Sequence, residues 1–143
     1  LIEGDLLGVP YRPIEAGGED TMIPTMVEWL EKTGVQLNDY AIQGWLGADI
    51  AVTGLLAAGP QFDREAVISA TNSITDYTAG GIVPSVDWTK AHDAPGPEDE
   101  RTLCMAILRV VSGGDLEVEG DPKKPFACFD LPMEEWSDPE YVG

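Results

Sequence analysis

Residues 39–60 read DYAIQGWLGADIAVTGLLAAGP, from Asp39 to Pro60, and the rest of the chain is organised around this stretch. Asp39 is a good helix cap, and Gly59-Pro60 is a stop that a helix rarely crosses. Between them Trp45, Leu46, Ile50, Val52, Leu55 and Leu56 are spread over most of a helical circumference, with few charges among them. A helix this apolar is usually central to a packed α/β or all-α domain. The pattern therefore predicts a central helix from Tyr40 to about Ala58.

Upstream, Leu1 to Pro10 reads as a short strand ended by proline, and Tyr11 to Glu19 as a connection containing Pro13, Gly17 and Gly18. A second helix is expected from Asp20 or Thr21, with Pro24 tolerable in its first turn and Gly34 as its stop. Met22, Ile23, Met26, Val27 and Leu30 fall on one face of it. Downstream, Asp63 caps a third helix carrying Val67, Ile68 and Ile74. Ala79-Gly80-Gly81 reads as a turn, and an anion site on its amides is the weaker alternative. Ile82 to Trp88 alternates like a strand that Pro84 confines to an edge. Ala91 to Glu100 is a polar loop, and Leu103 to Val111 is the longest strand-compatible run. Gly113-Gly114 then turns into Leu116-Glu117-Val118, a hairpin. The stretch after it, with Pro122, Pro125, Pro132 and Pro139, is expected to be mostly irregular.

The 143 residues are 43% hydrophobic, enough for one domain with a core. No run without interruption approaches the roughly 18 apolar residues of a membrane span. The chain starts at Leu1 without an initiator Met, which suggests a trimmed precursor or a part of a longer protein. Its 26 acidic and 8 basic residues give a formal net charge of −18, and the last third carries much of the excess. A phosphate backbone or an anionic membrane is a poor partner for such a surface.

Catalytic patterns are missing from the sequence. There is no Gly-x-Ser-x-Gly elbow, phosphate-binding glycine loop, His-Glu-x-x-His helix or zinc spacing. His92, the one histidine, lies in a Pro/Gly-rich stretch, and the adjacent Glu134 and Glu135 do not face each other. We expect no catalytic residue, no metal and no cofactor. Cys104 and Cys128, 24 positions apart, are either a disulfide or two buried free thiols. A disulfide would stabilise the fold by roughly 3 to 4 kcal/mol in a chain-entropy treatment. It would also imply an oxidising compartment. Tyr40 sits in the first turn of the apolar helix, where an aromatic can reach over a ligand while the helix N-terminus favours a carboxylate. Ordinary packing is the competing role for it.

Several segments, in order, resemble the leucine/isoleucine/valine-binding proteins of ABC transporters. Glu3 to Pro10 resembles the strand that closes the second lobe of that family, and the helix from Met22 to Lys32 follows it. Tyr40-Ala41-Ile42-Gln43-Gly44-Trp45-Leu46-Gly47-Ala48 resembles the family's aromatic-led start of a long apolar helix. Ala57 to Val67 resembles its short linker and capped helix, Thr78 to Trp88 the strand after it, and Val110 to Gly114 its closing strand and hairpin. The similarity covers roughly residues 1–120.

This resemblance implies a type I periplasmic-binding fold, an α/β architecture of two lobes in which helices pack on a mostly parallel sheet. Residues 1–13 would end the second lobe and 14–100 would form part of the first, ligand-binding lobe. Residues 101–143 would supply a hinge strand and return to the second lobe with an acidic, Pro-rich tail. Tyr40 matches a ligand-contacting aromatic of the family, and Gln43 would face the cleft one turn on. The resemblance also favours the Cys104–Cys128 disulfide and an extracytoplasmic location. The function it implies is capture of an amino acid, branched-chain type, or a similar small polar solute, with ABC permease subunits as partners. A sensor of the same fold and a non-binding interaction module are the alternatives.

Overall fold

The computed structural model describes residues 2–90 and 101–131. His92, the polar loop from Ala91 to Glu100, Glu134, Glu135 and the acidic tail lie outside the described residues. The chain is a mixed α/β structure with three α-helices and a small antiparallel sheet.

Strand β1 (Leu6–Val9) leads through a 3-10 turn at Ile14–Ala16 into helix α1 (Ile23–Thr33). Met22 rather than Asp20 or Thr21 stands at the α1 N-cap, but Thr21 Oγ1 still accepts from the Ile23 amide at 3.2 Å. Gly34 ends the helix in the left-handed conformation. Helix α2 (Asp39–Ala58) is capped by Asn38, whose side-chain oxygen accepts from the Ala41 amide at 3.0 Å. Asp63 caps α3 (Arg64–Thr71) in the same way through the Ala66 amide. Ile74, expected on α3, falls beyond its end.

Residues 82–88 do not form the expected strand. They make a single bridge, Tyr77 to Val86, because Ala79, Gly80 and Gly81 all adopt positive φ and fold the segment back on itself. Gly80 is held against α1: its carbonyl accepts from the Met22 amide at 2.9 Å, and its Cα faces the Met22 side chain. The Gly81 amide bonds the Thr78 carbonyl, which takes it away from the alternative role in anion binding. Tyr11, Ile23, Met26, Ile42, Tyr77, Ala79 and Ile82 form the core of this helical unit, with Met26 and Ile82 fully buried.

Strand β2 (Arg101–Val110) carries the sheet, with β3 (Leu116–Val118) and β4 (Phe126–Leu131) following. β1 pairs with its second half, Leu6 opposite Arg109 and Val9 opposite Ala106. Ala106 also pairs with Phe126, so β4 lies along the other edge of β2, in line with β3. Every pairing among the described residues is antiparallel, which corrects the expectation of a mostly parallel sheet. For β3 and β4 the reason is local: tight connections join β2 to β3 and β3 to β4, too short for a helical crossover, whereas β1 meets β2 across the whole helical unit. β4 occupies part of the stretch expected to be mostly irregular, and the rest of that stretch beyond Leu131 lies outside the described residues.

Ala106, Leu108 and Val110 alternate along β2 and bury one face of the sheet. They lie outside the helical core, so there are two packing centres. The chain enters the helical unit from β1 and leaves it into β2, and those two strands are neighbours. Arg12 adds a second tie, its guanidinium donating to the carbonyls of Pro122 and Lys123 at 3.2 Å each. β3 packs on the 3-10 turn beside it.

Candidate ligand-contact face

Helix α2 holds the residues on which the functional reading depends. Ile42 and Gly54 are its buried positions. Gly54 is where α3 crosses: a Cβ there would overlap Thr71 Oγ1 and come to 3.4 Å from Val67 Cγ1. The two acids of α2 are both bound by core tyrosines. The Tyr11 hydroxyl donates to Asp39 Oδ1 at 2.5 Å, and the Tyr77 hydroxyl to Asp49 Oδ2 at 3.0 Å. Burial pushes both phenols well above the ordinary tyrosine range, and the neighbouring carboxylates push further in the same direction. Both hydroxyls therefore stay protonated as donors at neutral pH.

Asp49 is partly covered where it meets Tyr77, whereas Asp39 stays exposed in the first turn beside Tyr40; beyond that turn the outward side of α2 carries no charge. Tyr40, Gly44, Gly47, Ala51 and Leu55 follow one another along this exposed stripe at helical spacing, and Gln43 flanks it. Tyr40 is 85% exposed and Leu56, further along the helix, 77%. The stripe begins at the capped N-terminus, so an aromatic ring and a side-chain amide stand one turn apart next to free helix amides. This arrangement can hold a small molecule with an apolar part against Tyr40 and a polar group near Gln43. Apart from their shared position on the outward side, nothing in the described residues closes around either side chain.

α2 is also long and apolar enough, by length and composition, to cross a membrane, a point the interrupted sequence runs do not convey. Its details oppose that use. Asp49 lies mid-helix, where an acid costs about 3 kcal/mol in a bilayer. Its hydrogen bond to Tyr77 and the contact with α3 attach α2 to the fold, but Ile42 and Gly54 are its only buried positions, which corrects the expectation of a central, enclosed helix.

A separate open groove of about 420 Å³ runs where the helical unit meets the sheet, lined by Pro10, Leu46, Ile50, Tyr77, Trp88 and Cys104 among others. Tyr77 and Trp88 meet edge to face, ring centroids 6.2 Å apart. The lining is almost wholly apolar, so the groove lacks the convergent polar groups that would orient a polar solute. Sequence reasoning missed it, because its walls come from four separate segments.

Cys104 and Cys128 are bonded to each other, as directly opposed residues of β2 and β4. Among the described residues, no group of three or more His, Cys, Asp or Glu side chains is placed to hold a metal ion. The tyrosine–aspartate pairs were also missed by sequence reasoning. The signal was available, since an acid in the middle of an apolar helix requires a buried partner.

Comparison with protein families, with curated proteins and with solved structures gives no match to this chain.

Proposed function

We propose that this chain is the C-terminal part of an extracytoplasmic solute-binding subunit of an ABC importer. In this reading it captures amino acids of the branched-chain type, or similar small polar solutes, between two lobes. The observation that carries the proposal is the uncharged outward stripe of α2, with Tyr40 and Gln43 at its capped end, in a chain of net charge −18. An apolar helix face left open in so acidic a protein calls for a cover. In this reading the cover is polypeptide encoded ahead of Leu1, which also supplies the rest of the cleft.

Two further features support it. The helical unit hangs from adjacent strands, β1 and β2, an arrangement suited to a lobe that turns relative to its neighbour. The disulfide suits an oxidising compartment. Function would then be capture without chemistry or cofactor. Tyr40 covers the apolar part of the ligand, helix amides favour its carboxylate, and binding shifts the population toward the closed form that permease subunits engage.

The test is calorimetric titration of the protein that joins this chain to its upstream segment, using leucine, isoleucine and valine. We expect saturable binding, weakened by about 1 to 3 kcal/mol in Tyr40→Ala through lost apolar contact. Silence across this panel and a wider set of polar solutes would remove the proposal. An unchanged affinity in Tyr40→Ala would remove the role given to that ring.

A further inference from the structure

We propose that the Cys104–Cys128 disulfide is a thiol-exchange site in the folded protein, with Cys128 as the sulfur that is attacked. The two ends of this bond differ. Cys128 is exposed and belongs to β4, whose only partner among the described residues is β2. Cys104 is partly covered, on a strand paired along both edges further on, and its side chain lines the groove with Leu46, Ile50 and Trp88. An external thiolate therefore meets Cys128 in the open and Cys104 only through the groove. Accessible disulfides are the labile class, since exchange requires in-line approach to a sulfur.

The chemistry needs a low-molecular-weight thiol as reductant. Its thiolate attacks Cys128 Sγ, a mixed disulfide forms there, and Cys104 leaves as a thiolate directed at the groove. A second thiol, as its thiolate, attacks the external sulfur of the mixed disulfide and displaces Cys128. Two external thiols are oxidised to one external disulfide, the protein disulfide is reduced to two thiols, and the two protons pass from the external thiols to the cysteines. β4 then keeps only its backbone pairing with β2. This inference does not depend on the solute-binding reading.

The folded protein should be treated with 2-mercaptoethanol without denaturant, quenched in acid, and its free thiols capped with N-ethylmaleimide before peptide mapping. We expect the mercaptoethanol adduct on Cys128 and the maleimide on Cys104 of the same molecules. Hydrogen exchange of the reduced protein should quicken in residues 126–131 and stay unchanged in α1. In single variants, the free Cys128 of Cys104→Ser should react with bis(2-hydroxyethyl) disulfide at least about tenfold faster than the free Cys104 of Cys128→Ser. A bond that resists until the protein unfolds, an adduct on Cys104, or equal rates in the two variants would overturn the proposal.

Discussion

Tyr77→Phe removes one hydroxyl and leaves the ring, including its edge-to-face contact with Trp88. The hydroxyl lost belongs to a buried residue and donates to Asp49 Oδ2 at 3.0 Å in a partly buried hydrogen bond. A hydrogen bond to a charged group contributes about 1.5 to 3 kcal/mol. Asp49 is only partly covered and can recover some hydration, so the lower end applies, about 1.5 kcal/mol. With a urea slope of about 2 kcal/mol/M, the midpoint at neutral pH should fall by about 0.7 M.

The pH dependence gives a second readout. The folded-state pKa of Tyr77 is raised, by burial first and by Asp49 second. A free tyrosine ionises near pH 10, so above that point the unfolded chain releases the proton and the folded one holds it. The Tyr77 contribution is therefore complete below about pH 10 and declines as pH rises toward the folded value. The stability gap between wild type and Tyr77→Phe should be constant from about pH 7 to 9 and narrow above about pH 10. Because Tyr11 is raised in the same way, the alkaline loss in Tyr77→Phe should be reduced rather than abolished, and smallest in the double phenylalanine variant. Equal urea midpoints at neutral pH would refute the assigned hydrogen bond. A gap that stays constant through pH 11 would refute the linkage argument.

Two glycine substitutions test packing. Gly54→Ala gains about 1 kcal/mol of helix propensity, but overlap with Thr71 should cost more, up to about 3 kcal/mol. Adding Thr71→Ala should restore the loss, and a urea double-mutant cycle without coupling would contradict the α2–α3 contact. Gly80→Ala places a side chain at φ +62° against Met22, so thermal unfolding should show a loss of about 2 kcal/mol or more. An unchanged melting temperature would mean that the turn does not sit on α1 as described.

What the sequence disclosed was mostly what short-range chemistry determines. Gly34, Gly59-Pro60 and Asp63 bound their helices within a residue or two of where they were expected, because caps and stops act on their own neighbours. Residues 82–88 show where that logic fails. Their alternation is genuine, but three successive positive-φ residues and Pro84 bend the segment around the core, and one bridge is all that remains. The sheet was illegible for another reason: strand direction depends on which distant segment β2 meets, and β1 is separated from it by the whole helical unit. β4 was hidden by the prolines on either side of it, although Phe126, Cys128 and Asp130 alternate with Ala127, Phe129 and Leu131. For the candidate face, Tyr40 and Gln43 could be picked from their place on α2. That Asp49 would be held against the core could not, since it follows from its hydrogen bond to Tyr77, 28 positions away.

The route of the chain through the sheet has a mechanical consequence. The start of β1 lies beside the end of β2, while the end of β4 lies beside the start of β2. Tension applied at residues 2 and 131 would cross from β1 to β2 to β4 by shear, loading the ladder bonds together and meeting the covalent cross-link at Cys104. Helices α1 to α3 lie off that load path, and they would feel no pull until β1 had slid free.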